Sequence, residues 1–319
     1  MKSTERPLIS FVLIAYKQEQ YIREAIEGAF SQTYSPLEII ISDDCSSDQT
    51  FAIMQEMAAA YKGPHRIVLN RNEKNLGLSG HYNRVMELAA GEIIVSADGD
   101  DISMPERSEK SLQILLANST AMCVSLALQP IDDTGTWIKR NAPTGRNIQR
   151  YTLQHYCSDP RFHINGAARA FRSVAFKTFG PLSQSCPTED STMLLRCLLM
   201  GDAYDSDEVG IYYRIHSQNI SRPSSLHKMR HMEIYRQNRK DFATAKKLGL
   251  VARNMSTRIS YRMRQGLIRR ILNSKLYFND YRLLDVLRIV ISDSYLNDEK
   301  LNMFKQYVVR RIRKFRTRS

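Results

Sequence analysis

The first hundred residues alternate between short apolar runs and segments in which apolar residues recur every three to four positions. The runs cover residues 8–15, 37–44, 65–70 and 92–97 and are typical of buried strands. The helical spacing between them predicts helices over residues 18–31, 47–62 and 78–90. Strands that alternate with helices in this way indicate βαβ units and a mainly parallel sheet with helices on both faces.

Acidic residues follow two of these strands. Asp43 and Asp44 end the second strand, and Asp98, Asp100 and Asp101 follow the fourth. Because ligands bind beyond the carboxyl ends of the strands in such sheets, we expect both clusters to lie on one rim. Aspartate is also a common turn and helix-cap residue, but that role does not account for three carboxylates in four positions beside buried apolar residues.

The cluster after the fourth strand suits a divalent cation. Mg²⁺ and Mn²⁺ favour carboxylate oxygen, and they commonly take one or two carboxylates together with the phosphates of a substrate. We therefore expect Asp100 to bind a metal ion and the metal ion to hold a diphosphate. No glycine-rich loop of the GxxxxGK[ST] or GxGxxG type stands in the right place, so the metal would carry the phosphate charge.

Charge divides the chain into two parts. The formal net charge is +13, but residues 1–221 carry 21 Lys and Arg against 26 Asp and Glu, whereas residues 222–319 carry 25 against 7. The change occurs near a segment with proline and serines, SRPSSLHK. We therefore expect a front domain over residues 1–222 and a basic helical C-terminal region over residues 223–319.

The basic region has helical patterns of apolar residues over 226–249, 257–278, 282–296 and 301–319. Three interpretations are open: helices that pack on the front domain or on a second copy of the chain, a surface that lies on an anionic membrane, or a surface that binds nucleic acid. Packing is favoured for the apolar stripes, and the membrane for the last basic cluster. Nucleic acid is disfavoured because no interleaved aromatic platform or known motif occurs.

Composition excludes several other classes. Hydrophobic residues make up 43% of the chain, which is ordinary for a globular protein. The apolar runs are far shorter than the ~20 residues of a membrane-spanning helix, and the first ten residues lack the apolar core of a secretory signal. We therefore expect a cytoplasmic protein, with peripheral attachment to the inner face of the cell membrane as an option. Five scattered cysteines without CxxC spacing indicate free thiols.

Four segments together resemble family 2 glycosyltransferases of the GT-A fold. They are ISFVLIAYKQEQYIREAIEGAFSQTYSPLEIIISDDCSSDQT, NLGLSGHYNRVMELAAGEIIVSADGDD, TEDSTMLLRCLLMGD and YRIHSQNIS. Their order and spacing match across roughly residues 8–221. The resemblance implies an α/β domain of GT-A type, a Rossmann-like nucleotide-diphospho-sugar transferase with a mixed sheet flanked by helices. The basic helical region follows it here.

The resemblance also implies roles for single residues. Asp44 matches the acid that accepts the base N–H of a uracil or thymine nucleotide, and Asp43 supports it. Asp98 and Asp100 match the DxD motif, with Asp98 near the ribose and the diphosphate and Asp100 as the direct metal ligand. Asp190, beside Glu189, matches the catalytic base, and Asn83 matches a residue that orders the nucleotide rim. Arg214 matches a residue that closes over the diphosphate, and His216 matches a further metal ligand. Asp190 also fits the first turn of a helix, where acids are common.

These residue types suit the transfer of a sugar from a nucleotide diphosphate. The resemblance implies an inverting glycosyltransferase that uses Mn²⁺ or Mg²⁺ and a UDP- or dTDP-sugar. The expected acceptor is a saccharide or lipid-linked saccharide in bacterial surface polysaccharide or lipopolysaccharide synthesis. The alternative is a non-catalytic sugar-nucleotide or polyanion-binding protein on the same fold. A homo-oligomer formed through the C-terminal helices is compatible with either function.

Overall fold

The computed structural model describes residues 6–138, 147–159 and 162–278, together with 280, 284, 285 and 287. The strands are β1 (Ile9–Ala15), β2 (Leu37–Asp43), β3 (Arg66–Arg71), β4 (Ile93–Asp98), β5 (Ile102–Ser103), β6 (Ala121–Ile131), β7 (Ile148–Tyr151), β8 (Arg169–Arg172) and β9 (Asp202–Arg214). The helices are α1 (Ile22–Phe30), α2 (Thr50–Ala60), α3 (Gly77–Leu88), α4 (Arg107–Ala117), α5 (Leu153–Ser158), α6 (Val174–Phe179), α7 (Asp190–Met200), α8 (Pro223–Lys228), α9 (His231–Lys247) and α10 (Arg253–Tyr277).

The strands form one mixed sheet in the order β3-β2-β1-β4-β8-β6-β9-β5, and β7 pairs with β9. The first four strands in this order are parallel, as the alternating pattern predicts. From β8 onwards the sheet is mixed, because β8 runs antiparallel to both β4 and β6. This arrangement confirms the mixed GT-A sheet that the resemblance implies.

Helices cover both faces of the sheet, which explains why β1 is almost entirely apolar, why the centre of β2 is apolar, and why both strands are fully buried. On one face, Leu13 and Ile39 pack against residues of α1, α2 and α4. On the other face, Val12 and Ile40 pack against α3, α6 and α7. The side chains of one strand thus alternate between two apolar layers, as the pleat of a strand requires.

The helices of the basic region pack on the front of the chain. Phe242 of α9 and Ile259 of α10 form a third apolar cluster with Leu195 and Leu199 of α7. This agrees with the packing interpretation of the apolar stripes. The predicted helix over 226–249 is divided between α8 and α9, since Met229 has an extended backbone. The division of the chain at residue 222 stays a prediction.

Other expectations have mixed outcomes. After β6 the chain makes a hairpin turn that is closed by a bridge between Ile131 and Trp137. Most of the segment 282–296, and all of 301–319 with its basic cluster, lie outside the described residues. Among the helices of the described part, none combines the length and the apolar character needed to cross a membrane.

Candidate active site

The two acidic clusters lie on either side of the end of β1. In the sheet register, Ala15 of β1 stands opposite Asp43 of β2, and Ile14 stands opposite Asp98 of β4. The backbone continues this pairing beyond the strands, since the Asp44 N–H donates to the Ala15 carbonyl at 3.0 Å and the Gly99 N–H donates to the Ile14 carbonyl at 3.0 Å. The carboxyl ends of three parallel strands therefore form one acidic rim.

Two residues beside this rim have an unusual backbone conformation. Lys17, after β1, and Cys45, after β2, have φ angles of 55° and 62°, in the left-handed region that side chains other than glycine rarely adopt. The Lys17 N–H donates to the Ser46 hydroxyl at 2.8 Å, so the two loops are bonded to each other. Backbone strain of this kind persists where the surroundings over-determine it, and such positions cluster at functional sites.

Asp43 and Asp44 are buried at the β2 end of the rim. Asp44 Oδ1 accepts hydrogen bonds from the Asn72 side chain and the Leu76 N–H at 2.8 and 2.9 Å, and Oδ2 accepts one from the Gly77 N–H at 3.0 Å. Asp44 thus holds the start of α3, and its Oδ2 keeps one acceptor position. Asp43 Oδ2 accepts the Ser46 N–H at 2.9 Å, whereas Asp43 Oδ1 has no hydrogen-bond partner among the described residues.

The DxD segment begins at the last residue of β4. Burial, together with the charges of Asp100 and Asp190, raises the pKa of Asp98 to about 8. Gly99 packs on the β1 loop so closely that a Cβ there would come within 2.7 Å of the Ala15 Cβ. A glycine between the two aspartates therefore lets the DxD turn lie directly against the end of β1.

Beneath this segment lies Arg107, a buried residue that the sequence analysis missed. Its guanidinium donates to the Ser103 hydroxyl at 2.9 Å and to the carbonyls of Ser96 and Ala167. Burial lowers the pKa of Arg107 to about 10, and the carboxylates of Asp101 and Asp98 oppose this shift. Arg107 therefore stays charged at neutral pH and offsets part of the repulsion within the cluster. The only signal of this residue in the sequence is its position directly after the segment MPE (residues 104–106), at the start of α4.

Asp100 and His216 face each other across the rim. His216 Nε2 lies 2.9 Å from Asp100 Oδ2, and the ring also packs against Tyr21 at a centroid distance of 4.8 Å. The Gln218 N–H donates to His216 Nδ1 at 3.2 Å, so in the neutral ring the proton sits on Nε2 and points at Asp100. The Asn219 amide adds a longer contact to the same Asp100 oxygen at 3.4 Å.

These groups fit a divalent cation that is completed by a substrate. No group of three or more His, Cys, Asp and Glu side chains among the described residues could hold a metal ion alone. Asp100 and His216 offer one oxygen and one nitrogen, which is the small protein share expected when phosphates supply further ligands. Because Nε2 must be unprotonated to bind metal, the ring proton would move to Nδ1 and the hydrogen bond from Gln218 would be lost.

Arg214 lies below this site instead of pointing out of it. Its side chain is 1% exposed. The guanidinium donates to the carbonyls of Asp100, Asp132 and Asp133 and pairs with Glu24, while its backbone N–H donates to Asp101 Oδ1 at 2.9 Å. In this geometry Arg214 holds the DxD turn and the hairpin after β6 in place. The predicted contact of Arg214 with the diphosphate stays a prediction.

Asn83 also serves a neighbouring loop. Its amide donates to the Leu182 carbonyl and accepts from the Leu182 N–H, both at 2.8 Å. These two bonds fasten the segment before α7 to α3. Leu182 uses one donor and one acceptor position of the amide, and the predicted ordering of the nucleotide rim by Asn83 stays a prediction.

Asp190 begins α7 and faces solvent, with its side chain 51% exposed. The buried Arg169 donates to the Asp190 carbonyl at 2.7 Å and lies 3.8 Å from its carboxylate. Glu189 is buried beside it, and burial together with the charges of Asp190 and Asp98 raises the pKa of Glu189 well above its usual value. Of the two carboxyl groups, that of Asp190 is therefore the accessible one.

A cavity of about 20 Å³, enough for about one water molecule, joins the two ends of the site. Its lining includes Asp98, Glu189, Asp190, Tyr82 and Gly166. The structure thus brings Asp190 next to the DxD motif although 92 positions of sequence separate Asp98 from Asp190. Gly166 and Arg169 were not singled out by the sequence analysis, because their importance depends on this approach.

Known proteins are similar to the chain in sequence and in fold. The model of the family Glycosyl transferase family 2 matches residues 10–180. The putative glycosyltransferase EpsE of Bacillus subtilis is 33% identical over 43% of this chain and 49% of its own length. The putative teichuronic acid biosynthesis glycosyltransferase TuaG of the same organism is 30% identical over 36% of this chain and 45% of its own length. These alignments span about half of the relatives or less.

Solved structures share the fold at low sequence identity. The structure of residues 1–349 of Staphylococcus aureus TarS in complex with UDP has a TM-score of 0.61 and 15% identity, and the match covers 89% of this chain and 78% of that one. The mannosyltransferase PcManGT of Pyrobaculum calidifontis, in complex with GDP-Man and Mn²⁺, has a TM-score of 0.55 and 16% identity, and the match covers 96% of this chain and 86% of that one.

The family model matches residues 10–180, which is more than half of this chain. The chain therefore belongs to glycosyl transferase family 2.

Proposed function

We propose that this glycosyltransferase moves a sugar from a UDP- or dTDP-sugar, with inversion, to a hydroxyl of a saccharide or lipid-linked saccharide in the synthesis of a surface polysaccharide. The relatives support the pathway class, since TuaG is named for teichuronic acid biosynthesis. Structures with UDP, UDP-GlcNAc and GDP-Man support a nucleotide-sugar donor. The Mn²⁺ in the PcManGT structure supports use of a divalent cation.

The observation that carries this proposal is the position of the Asp190 carboxylate. It is solvent-facing and lines the same small cavity as Asp98 of the DxD motif. An acceptor hydroxyl in front of Asp190 would therefore stand beside the place where the donor's diphosphate is held. A general base must be within hydrogen-bond reach of the proton that it removes, and this arrangement meets that need.

The donor would lie along the rim. Asp44, supported by Asp43, would accept an N–H group of a pyrimidine base, since Asp44 Oδ2 accepts only one hydrogen bond from the described residues. Asp98 would lie near the ribose and the diphosphate. Asp100 and His216 would hold the divalent cation, which when bound supplies Lewis-acid stabilisation of the leaving diphosphate. Buried Arg107 and Arg214 keep the DxD turn in position.

The transfer is then a single displacement. The acceptor oxygen forms a bond to the anomeric carbon while the bond from that carbon to the diphosphate oxygen breaks, and the nucleoside diphosphate leaves with the bonding electrons. The acceptor proton passes to the Asp190 carboxylate. Attack from the face opposite the leaving group inverts the anomeric carbon. The protonated form of Glu189, which its surroundings favour, adds no second negative charge where the hydroxyl must approach.

The test combines donor binding with turnover. We expect UDP or dTDP with Mn²⁺ to raise the melting temperature of the protein, because a ligand bound only by the folded state stabilises it. Asp190→Asn should keep this shift and lower donor-dependent product formation by about 10²–10⁴-fold. Asp133→Asn, in the exposed turn after β6, is the matched control and should leave both unchanged.

Three results would count against the proposal. Undiminished transfer by Asp190→Asn would exclude Asp190 as the base. Binding of a nucleotide sugar without any product, over a broad set of saccharide acceptors, would favour the non-catalytic alternative. A folded protein that no nucleotide stabilises, with or without metal, would contradict the donor site.

A further inference from the structure

Helices α9 and α10 form a groove on their outward side, which we call the α9–α10 groove. One wall is a stripe of α9 that includes Tyr235, Arg239 and Lys246, and the other is a stripe of α10 that includes Ser260 and Arg264. The floor is apolar, since Phe242 and Met263 are 7% and 4% exposed. Two adjoining cavities of about 240 and 380 Å³ share Lys246, Ser260 and Arg264 in their linings.

The cations of this groove are exposed and have no acidic partner among the residues that the structure describes. Arg239, Lys246 and Arg264 are all exposed, and in the part of the chain that the structure describes no carboxylate lies within ion-pair distance of any of them. The Arg239 guanidinium lies 6.0 Å from the centre of the Tyr235 ring, and Arg239 and Arg264 together lower the pKa of Tyr235. Two guanidinium groups thus line one groove beside Tyr235, where their mutual repulsion would be relieved by a bound anion.

The sequence around the groove reinforces this charge. Residues 242–279 contain nine Lys and Arg and no Asp or Glu. Solvated helix surfaces usually carry both positive and negative side chains. The absence of carboxylates from this stretch therefore distinguishes it from an ordinary solvated surface. The wall of α10 adds hydroxyl groups of Ser256, Thr257 and Ser260, which can donate to phosphate oxygens.

The turn that joins the two helices carries exposed leucines. Leu248 and Leu250 are 53% and 38% exposed, and they follow directly on Lys246 and Lys247 at one end of the groove. Tyr261, which lines the larger cavity, is 45% exposed. Apolar side chains at the tip of a helical pair, flanked by cations, match a surface whose apolar residues enter the acyl boundary while the cations meet the headgroups.

From this combination we infer that the α9–α10 groove binds the phosphate headgroups of anionic phospholipids, and that the turn at Leu248 and Leu250 rests in the membrane surface. Charge alone would also suit nucleic acid. The exposed leucines favour the lipid, because they would stay in water on a nucleic acid and gain apolar burial only in a bilayer. This inference goes beyond the proposed function and does not depend on it. It also differs from the sequence-based expectation, which assigned membrane contact to the last basic cluster.

The experiment is flotation of the full-length protein with vesicles of phosphatidylcholine alone and with vesicles that also contain phosphatidylglycerol. We expect binding only to the anionic vesicles, and less of it as salt is added. The test variant is Lys246→Glu with Arg264→Glu. Each Lys or Arg near an anionic surface contributes about fivefold to binding, so loss of two should weaken partition by about thirtyfold or more.

The matched control reverses the same number of charges elsewhere. Lys62→Glu with Lys177→Glu alters exposed lysines outside the C-terminal helices, and we expect at most about a threefold effect. Leu248→Ser with Leu250→Ser keeps every charge and should also weaken binding to the anionic vesicles. Unchanged melting temperatures and circular dichroism spectra in all variants show that the fold is intact.

Several outcomes would overturn the inference. Equal binding to neutral and anionic vesicles would remove the headgroup phosphate as the ligand. An equal loss in the groove and control variants would leave only a non-specific charge effect. Full binding by the leucine variant, together with tighter binding of a single-stranded oligonucleotide that the groove variant loses, would identify the groove as a nucleic-acid site.

Discussion

The Asp190 carboxylate occupies the space that a side chain at position 166 would fill. Gly166 lies in the loop before β8, and a Cβ built on it would overlap the Oδ1 and Cγ atoms of Asp190. The Arg169 N–H donates to the Gly166 carbonyl at 3.0 Å, which fixes the loop, and the Arg169 guanidinium holds the Asp190 carbonyl at 2.7 Å. Gly166 and Arg169 together therefore define where the carboxylate of the proposed base can stand.

Substitution of Gly166 by alanine should consequently affect catalysis more than stability. The overlap is with the end of one side chain, so Asp190 can rotate away without movement of the backbone. A misplacement of about 1 Å can lower a rate about 100-fold, and we expect a loss of that order in kcat. Steady-state kinetics and melting temperature should be measured on the same preparations.

The control for this variant is Gly266→Ala within α10. A Cβ there would meet only the end of the flexible Arg262 side chain at 3.2 Å, and alanine is the better helix former. We expect unchanged kcat and an equal or higher melting temperature. Wild-type kcat in Gly166→Ala would show that the approach of these two residues has no catalytic consequence.

Glu189 and Asp190 should respond differently to loss of their charge. Burial and the neighbouring carboxylates raise the pKa of Glu189 well above its usual value, so they favour its protonated form. Glutamine resembles the protonated acid in shape and polarity, so Glu189→Gln should keep activity within about threefold of wild type. A loss as large as that of Asp190→Asn would show that Glu189 shares the work of the base.

Much of the fold was predictable because its signals are local. The apolar runs of β1, β2 and β4 identify buried parallel strands, and the rule that ligands bind beyond their carboxyl ends placed Asp43 and Asp98 on one rim. The structure puts those residues opposite neighbouring residues of β1. In a parallel sheet the residues that end neighbouring strands lie side by side, so the positions of the strands in the sequence already show which residues are close in space.

Arg214, Asn83 and Arg107 show what a sequence pattern cannot supply. Each has the chemistry of a ligand contact, yet Arg214 and Arg107 are almost fully buried and Asn83 is bonded twice to Leu182. Their partners are mainly backbone carbonyls of distant segments, and any residue type provides a carbonyl. No sequence signal marks such partners, so the direction in which a polar side chain points had to come from the structure.

Metal dependence should reside in Asp100 and His216. We expect UDP to stabilise the protein more strongly with Mn²⁺ than with EDTA, and this difference to disappear in Asp100→Ala, which removes a direct carboxylate ligand. His216→Ala should weaken the Mn²⁺ effect about 10-fold or more in apparent affinity. Thermal shift titrations of Mn²⁺ at fixed UDP measure both.

Asn219→Ala is the comparison for the metal site, since Asn219 contacts the same Asp100 oxygen only at 3.4 Å. Its effect on the Mn²⁺ titration should be smaller than that of His216→Ala. An equal Mn²⁺ response in the wild type and in His216→Ala would show that the histidine is not a ligand, and that its contact with Asp100 only positions the carboxylate.

The C-terminal helices should contribute strongly to stability through a buried ion pair. Arg196 of α7 makes two hydrogen bonds to Asp241 of α9, at 2.8 and 3.1 Å, and the two side chains are 0% and 1% exposed. Asp241→Ala leaves the Arg196 charge buried and unpaired, which should lower the free energy of unfolding by about 3–5 kcal/mol. Urea denaturation monitored by circular dichroism gives this value.

Two further variants test whether the unpaired buried charge causes this loss of stability. Arg196→Met with Asp241→Leu removes both charges and should recover much of the loss, because an apolar pair of similar size can replace a buried ion pair. Glu56→Ala breaks the exposed pair with Arg23 and should hardly change the urea midpoint. A similar small effect of Asp241→Ala would mean that α9 is only loosely attached to α7.

Acid should destabilise the protein in part through His231, at the start of α9. Burial, together with the charges of Arg270 and His227, lowers the pKa of His231 to about 4, and neither ring nitrogen has a hydrogen-bond partner in the described part of the chain. The unfolded chain takes up this proton near pH 6.5, whereas the folded protein takes it up only near pH 4. The contribution of His231 to stability is therefore full above about pH 6.5 and falls as the pH drops towards 4.

His231→Asn, whose side chain cannot be protonated in this pH range, should lack the loss of stability that His231 causes at low pH. The raised pKa values of Asp98 and Glu189 act in the opposite direction, since their protonation favours the folded state as the pH falls, but they are common to both proteins. The quantity to measure is therefore the difference in unfolding free energy between the variant and the wild type, from urea denaturation near pH 7.5 and near pH 5. We expect this difference to shift in favour of the variant at the lower pH. A difference that is the same at both values would show that His231 takes up its proton equally in the folded and unfolded chains.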